Sequence, residues 1–210
     1  MTRLVVFDLD GTLTRQRGGF ELLHTLYGTA PVGEELQDRF DAGALTFDEW
    51  CRETVDHWRT AGISANDVER AAEAVTPKAG APEVLEALRR EGVSFGILSA
   101  GVANLAARFE RFGPAFVRGN RIRFEDGSLA GIDVGVGPTQ KGEILREIRR
   151  ERPDVEITYV GDSHTDTEAF VEADSAILFD PDDRVPPEAV AAADSIVESS
   201  DIRDIAELRL

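Results

Sequence analysis

The chain has little lysine and cysteine, and it contains no long apolar run. Its lysines are Lys78 and Lys141, and its one cysteine is Cys51. A single cysteine excludes an intrachain disulfide and a cysteine-cluster metal site. No stretch approaches the roughly 18 apolar residues that a membrane helix needs. The acid at position 8 leaves no room for a signal-peptide apolar region. We therefore expect a cytoplasmic protein.

Acidic residues are abundant by contrast. The 40 Asp and Glu outnumber the 23 Lys and Arg, and the formal net charge is -17. Such a surface repels nucleic acid and anionic membranes, so we expect neither as a partner. An acid surplus with scarce lysine is typical of a halophilic protein, because salt screens the repulsion between acids. A high-GC genome would explain arginine in place of lysine, but not the acid surplus. These features leave the oligomeric state undetermined.

Short apolar runs alternate with helical patterns along most of the chain. The run at residues 4–7 ends abruptly in acids and a glycine, as a buried parallel strand does at its carboxyl end. Further strands are predicted at 93–98, 157–160, 176–179 and 196–198. Helices are predicted at 82–90, 102–112, 141–150, 165–173, 187–193 and 202–208. This alternation predicts an α/β fold with a doubly wound parallel sheet.

Two segments break the alternation. Residues 16–77 carry helical patterns and no convincing strand, which predicts a helical cap inserted into a core of residues 1–15 and 78–210. The cap helices are predicted at 20–26, 34–40, 47–58 and 68–75. Residues 121–136 form the second break, where a turn at 125–128 predicts a small β-hairpin. One core with a cap fits better than two independent domains.

Polar side chains stand where the predicted strands end and where one helix begins. They are Asp8, Asp10, Ser99, Lys141, Asp162 and Asp166. In an open parallel sheet, the loops beyond neighbouring carboxyl ends share one crevice, which is where ligands bind. The sequence therefore predicts that four acids, a hydroxyl and an ammonium group converge.

This set of side chains suits phosphate chemistry. Four crowded carboxylates need a cation, and Mg²⁺ prefers oxygen ligands together with water and substrate phosphate. A phosphoryl group could lie between the metal, Lys141 and the Ser99 hydroxyl. Asp8 could attack it and form an aspartyl-phosphate. Asp10 could protonate the departing alkoxide and later deprotonate the attacking water, with Gly11 allowing the sharp turn.

In their order along the chain, these residues resemble the haloacid dehalogenase (HAD) superfamily. The four motifs are Asp8-Leu9-Asp10-Gly11-Thr12, Ser99, Lys141 and Gly161-Asp162-Ser163-His164-Thr165-Asp166. Each motif is weak singly, but four in register are specific, and the resemblance covers essentially the whole chain. It implies a Rossmann-like core, a helical C1 cap and a phosphatase that uses Mg²⁺.

The resemblance also implies a role for each motif residue. Asp8 is the expected nucleophile and Asp10 the acid and base. Mg²⁺ is expected on the Asp8 carboxylate, the Asp10 backbone carbonyl and Asp162, with Asp166 orienting metal-bound water or Lys141. The expected phosphate-binding residues are Ser99, Ala100, Gly101 and Lys141, with Thr12 in support. An acid at position 10 argues against a true dehalogenase.

Within the superfamily, the chain is most similar to the phosphoserine phosphatase-like branch. The similarity lies in segments 43–50, 99–101 and 125–131. Phosphoserine phosphatases carry a glutamate nine residues after the nucleophile, which reads the substrate ammonium. Arg17 stands there in this chain, and the nearest acid is Glu21. The fourth motif also has Thr165 in place of an asparagine. We expect a small phosphorylated metabolite as substrate, with phosphoserine as one candidate.

Arg17, Glu21 and Arg52 are the candidate specificity residues, Arg52 because its predicted cap helix could bring it to an anionic substrate. The acidic run Asp180-Pro181-Asp182-Asp183 is interpreted as solvated surface. Three alternative functions stay open: a phosphotransferase or mutase of the same superfamily, a phospho-accepting receiver module of another class, and a catalytically inactive binding protein. The helical insertion after Thr12 counts against the receiver module.

Overall fold

The computed structural model describes residues 2–182 and 185–208, and one seven-stranded sheet organises them. The strands are β1 Thr2–Phe7, β2 Ser94–Val102, β3 Val117–Glu125, β4 Ser128–Asp133, β5 Val155–Gly161, β6 Ser175–Phe179 and β7 Ser195–Val197. Their order across the sheet is β4-β3-β2-β1-β5-β6-β7. All neighbours pair in parallel except β3 and β4, which are antiparallel. The predicted doubly wound sheet and hairpin are confirmed.

Strand β1 is the middle strand of the sheet, and both of its faces are buried. Val5 and Phe7 pack into one apolar cluster, while Leu4 and Val6 pack into the cluster on the opposite face. A run of apolar residues without alternation is what a strand covered on both faces requires. This burial fixes the register of β1, and thereby the position of the acids that follow it.

The helices divide into two groups along the chain. Segment 16–77, described throughout, holds four helices and no strand: α1 Gly19–Leu26, α2 Ala30–Asp41, α3 Phe47–Thr60 and α4 Ala65–Ala74. The remaining α-helices are α5 Ala81–Glu91, α6 Lys141–Glu151, α7 Thr167–Glu172 and α8 Pro187–Ala192. Segments Ala103–Phe112, His164–Asp166 and Ile202–Leu208 are 3-10 helices. The division into core and cap remains a prediction.

The two ends of segment 16–77 run side by side. The backbone N–H of Arg15 donates to the carbonyl of Thr76 at 2.9 Å, and that of Lys78 donates to the carbonyl of Leu13 at 2.9 Å. The chain therefore enters and leaves segment 16–77 at the same place, next to the carboxyl end of β1.

The prediction that residues 99–101 form a loop followed by an α-helix from 102 was wrong. Strand β2 continues through Val102 with a register shift against β3 after Leu98, and a 3-10 helix follows it. The buried Asn120 on β3 donates to the carbonyl of Ala100 at 2.7 Å, while Asn104 accepts from Ile122 N at 2.8 Å. These long-range contacts hold the extended backbone, and local helical propensity does not reveal them.

The predicted helix 165–173 also changes in detail. Its first turn is the 3-10 segment His164–Asp166, and α7 then ends at Glu172. Among the described residues, no helix is both long and apolar enough to cross a membrane.

Candidate active site

A cavity of about 540 Å³ opens at the carboxyl end of β1. Here β1 lies between β2 and β5, which is where the strand order reverses. The connections that follow neighbouring strands therefore leave in opposite directions, and a crevice forms between these connections. The residues predicted to converge do line this cavity: Asp8, Asp10, Ser99, Lys141 and Asp162. Asp166 lies directly behind them, fully buried.

Lys141, at the first position of α6, is the central cation of this cluster. Its Nζ lies 2.9 Å from Asp8 Oδ1 and 2.6 Å from Asp166 Oδ1. Burial alone would lower the pKa of Lys141, but the carboxylates of Asp166 and Asp8 raise it above its ordinary value. The ammonium group therefore keeps its charge although the side chain is completely buried.

Asp166 is the acid with the most donors. Besides Lys141, it accepts from Tyr159 Oη at 2.7 Å and from the backbone N–H groups of Ser163 and Asp162 at 2.9 and 3.1 Å. Burial acts to raise its pKa, but Lys141 and these hydrogen bonds outweigh burial and lower it. Asp166 is thus a fixed anion that anchors Lys141.

Asp8 is in the opposite situation. Burial raises its pKa from 3.8 to about 7, helped by the charges of Asp166 and Asp10 and opposed by Lys141. Its contact with Lys141 is an ion pair at 2.9 Å, and among the described residues no well-aligned hydrogen bond reaches Oδ1. Asp8 therefore lacks the donors that hold Asp166 in place.

Asp10 is held at one oxygen and unpartnered at the other. The backbone N–H of Gly19, the first residue of α1, donates to Oδ2 at 2.9 Å, while no described residue bonds Oδ1. Burial raises the pKa of Asp10 to about 6, against the lowering effect of Gly19 and Lys141. A Cβ on Gly101 would lie 2.3 Å from Oδ2, so a side chain at this position would push the Asp10 carboxylate out of its present place.

Asp162, after β5, has both carboxylate oxygens occupied. Thr12 Oγ1 donates to Oδ1 at 3.0 Å, and Arg17 Nη1 donates to Oδ2 at 2.6 Å. Burial and the charges of Asp8 and Asp166 raise the pKa of Asp162 well above its ordinary value, although Arg17 and Thr12 lower it. Gly11 has φ +85°, and a Cβ on it would lie 2.1 Å from Oδ2.

The carboxylates fit a divalent cation. Asp8, Asp162 and Asp166 each offer an oxygen, and these atoms lie within 4.8 Å of one another. Burial, and after it the charges of neighbouring acids, raise the pKa values of Asp8 and Asp162, and a bound cation would offset both effects. Asp166 has the most donors and anchors Lys141, whereas Asp162 has two donors and Asp8 has an unbonded oxygen, so Asp8 and Asp162 are the better candidate ligands.

The comparisons with known proteins agree with this geometry. A family model described as haloacid dehalogenase-like hydrolase matches residues 5–170. The chain belongs to this family. Phosphoserine phosphatase of Methanocaldococcus jannaschii is 29% identical over 97% of this chain and 95% of its own length. Mouse phosphoserine phosphatase is 30% identical over 83% of this chain and 80% of its own.

A solved structure agrees as well. A phospho-aspartyl intermediate analogue of a phosphoserine phosphatase is 25% identical, with a TM-score of 0.77 over 99% of this chain and 98% of that one. These relatives confirm the predicted enzyme class, a HAD-type phosphatase, and they exclude the alternative function of a receiver module. The acid cluster is therefore the candidate active site of a phosphatase.

The expected phosphate-binding segment of this HAD protein is not a free loop. Ser99 Oγ accepts from the backbone N–H of Gly101 at 2.9 Å, within the irregular end of β2. Ser99, Ala100 and Gly101 all line the cavity, on the side facing Asp10. The roles assigned to these residues remain predictions.

The three candidate specificity residues separate in space. Arg17 and Glu21 line the cavity, but Arg52 is not among the lining residues; it projects from α3 and pairs with Asp48 at 2.9 Å. The segment 16–77 contributes further lining residues that were not among the predicted site residues: Gly18, Gly19, Phe20, Gln37, Phe47 and Trp50. Phe20, Phe47 and Trp50 give this side of the cavity an aromatic surface.

Interpreting the acidic run after β6 as solvated surface was wrong for Asp180. Its carboxylate pairs with Arg17 Nη2 at 3.1 Å and with the buried Lys78, whose Nζ also donates to the Gly11 carbonyl at 2.9 Å. Asp183 lies outside the described residues. Sequence reasoning missed Lys78, and its one signal was scarcity, since this chain has only one other lysine.

Proposed function

We propose that the chain hydrolyses the phosphate monoester of a small metabolite with Asp8 as nucleophile and Mg²⁺ as cofactor. The observation that carries the proposal is the contrast between two neighbouring acids. Asp8 points an under-coordinated carboxylate at the cavity, while Asp166 holds the buried Lys141 beside it. A nucleophile needs an accessible lone pair, and the phosphoryl group needs fixed positive charge next to it.

Magnesium would be held by the Asp8 carboxylate, the Asp10 backbone carbonyl and Asp162. When bound, it supplies Lewis-acid polarisation of the phosphate and offsets the repulsion among the acids. Lys141, the Ser99 hydroxyl and the backbone of Ala100 and Gly101 bind the remaining phosphate oxygens.

In the first step, an Asp8 carboxylate oxygen attacks phosphorus. An O–P bond forms to Asp8, the bond to the leaving oxygen breaks, and Asp10 gives its proton to that oxygen. In the second step, Asp10 takes a proton from water, water oxygen attacks phosphorus, and the bond to Asp8 breaks. A pKa of about 6 suits Asp10 to both roles near neutral pH. Its Oδ1 is unpaired among the described residues, which leaves that oxygen free for the proton.

The leaving group would face the aromatic side of the cavity with Arg17 and Glu21. The relatives named above are phosphoserine phosphatases, yet Arg17 places a guanidinium near the point where those enzymes carry the glutamate that reads an ammonium. Like charge disfavours an ammonium there. We propose that amine-free phosphorylated acids are preferred to phosphoserine, with Glu21 as the residue that would favour phosphoserine instead.

The test is phosphate release from a panel of monoesters that contains phosphoserine and its amine-free analogue. Exhaustive chelation should abolish release, and Mg²⁺ should restore it better than Ca²⁺, whose looser shell spoils in-line geometry. Activity that survives chelation would exclude the metal. Transfer of phosphate to an added alcohol in place of release would identify a phosphotransferase. The specificity proposal is tested by comparing kcat/KM for phosphoserine and its amine-free analogue in the parent and in Arg17→Glu. A parent that strongly prefers phosphoserine, with no shift in the variant, would contradict the proposed role of Arg17.

A further inference from the structure

Asp162 is a proposed magnesium ligand, but this chain already satisfies both of its oxygens. Thr12 bonds Oδ1 at 3.0 Å and the Arg17 guanidinium bonds Oδ2 at 2.6 Å. The guanidinium therefore stands on an oxygen that a metal ion could use. A cation already in contact with a ligand atom opposes the arrival of a second, doubly charged one.

Arg17 has a second anchor through its other terminal nitrogen. Its Nη2 donates to the Asp180 carbonyl at 2.6 Å and to Asp180 Oδ2 at 3.1 Å. One guanidinium thus bridges two acids on different strand-end loops. If Arg17 lost its bond to Asp162, its bonds to Asp180 would remain, so the guanidinium would still be paired with a carboxylate.

Asp180 is itself built into this position. Its backbone has φ +46°, a left-handed conformation that a residue other than glycine adopts at a cost. Lys78 pairs with its carboxylate and also bonds the Gly11 carbonyl, in the loop that carries Asp8 and Asp10. The chain of contacts Lys78–Asp180–Arg17–Asp162 therefore joins both ends of segment 16–77 to the acid cluster.

We propose that Arg17 is an internal counter-ion that competes with magnesium for Asp162 and retreats to Asp180 when the metal binds. Arg17 lowers the repulsion among the acids while no metal is present, and it raises the magnesium concentration needed to load the site. The inference rests on the proposed magnesium site and adds to it a residue that sets its affinity.

The test is calorimetric titration of Mg²⁺ into chelator-treated protein, with no substrate. The variants are Arg17→Gln and, as a matched control, Arg70→Gln, which removes an arginine from an exposed ion pair with Asp67. Arg17→Gln should lower the magnesium Kd at least tenfold, equivalent to about 1.4 kcal/mol. Arg70→Gln should leave it within about twofold. An unchanged or higher Kd in Arg17→Gln would overturn the proposal.

A double-mutant cycle with Asp180→Asn separates competition from a general charge effect. Asp180→Asn alone makes the retreat position poorer, so the magnesium Kd should rise several-fold. In the Arg17→Gln background the same change should have no effect. An equal rise in both backgrounds would mean that Asp180 acts only through its charge, and the retreat would be wrong.

The outcomes also separate this inference from the proposed function. A parent protein that binds no Mg²⁺ refutes the proposed metal site itself. A parent that binds Mg²⁺ with an affinity insensitive to Arg17 refutes only the competition. Circular dichroism of the metal-free variants monitors folding, and Arg17→Met serves as a second variant with an apolar stem. If neither folds without metal, Arg17 is required for the fold and the competition proposal is rejected.

Discussion

Replacing Asp8 with Asn should stabilise the metal-free protein while it abolishes turnover. The isosteric amide removes a carboxylate that the fold accommodates poorly, because burial raises the pKa of Asp8 from 3.8 to about 7. The same change removes the nucleophile, so no phosphoenzyme can form. One substitution thus separates the requirements of folding from those of catalysis.

The magnitude follows from the shift. The folded protein binds this proton more tightly than the unfolded chain, so its stability falls as pH rises from about 4 to about 7. At about 1.4 kcal/mol per pH unit, Asp8 costs roughly 2 kcal/mol at pH 5 and roughly 4 kcal/mol at pH 8. The stability advantage of Asp8→Asn should therefore grow by roughly 2 to 3 kcal/mol between these pH values.

Urea unfolding in the presence of chelator, at pH 5 and pH 8, measures this difference. Asp133→Asn is the matched control, since it removes an exposed carboxylate that pairs with Arg123. That control should shift stability by less than about 1 kcal/mol at either pH. If Asp8→Asn has the same advantage at both pH values, the reasoning from burial is wrong. Full activity in Asp8→Asn would refute the proposed nucleophile.

Three further predictions follow from the site and the composition. Asp10→Asn should slow both formation and hydrolysis of the phosphoenzyme in rapid-quench experiments, and a defect in one step alone would contradict its double role. Gly11→Ala should fold poorly and bind Mg²⁺ weakly, because the residue has φ +85° and the new Cβ would lie 2.1 Å from Asp162 Oδ2. A variant with the parental Tm and magnesium Kd would show that the loop can adjust. The melting temperature should rise from low to molar KCl as salt screens a net charge of -17, and a flat or falling curve would refute the halophilic interpretation.

The sequence predicted the sheet and the clustering of acids because both depend on local patterns. An apolar run that ends in acids can be recognised without knowing its neighbours, and parallel strands bring their carboxyl ends to one edge. Asp8, Asp10, Lys141 and Asp162 were placed together on that basis, and the cavity lined by them confirms the placement.

The sequence failed where a distant residue decides the local structure. Residues 99–102 read as a loop and a helix start, but they are strand because Asn120 and β3 bond their backbone. Arg52 is a different case: its candidate role was set against that of an ordinary solvated arginine, and it pairs with Asp48 on the same helix, outside the cavity lining.

Residue type and order along the chain were enough to determine the fold class, the acid set and the family of this protein. Tertiary structure alone decided which acids are held by donors and which are left exposed to repulsion. Asp166 and Asp8 are the same residue type beside the same lysine, yet the pKa of one is lowered and that of the other raised. Burial raises and Lys141 lowers the pKa of both acids. Tyr159 and two backbone N–H groups reach Asp166 in addition, whereas Asp8 lacks these donors and is raised further by the charges of Asp166 and Asp10. Folding brings these donors within a few ångströms of Asp166, and their separation along the sequence does not reveal that proximity.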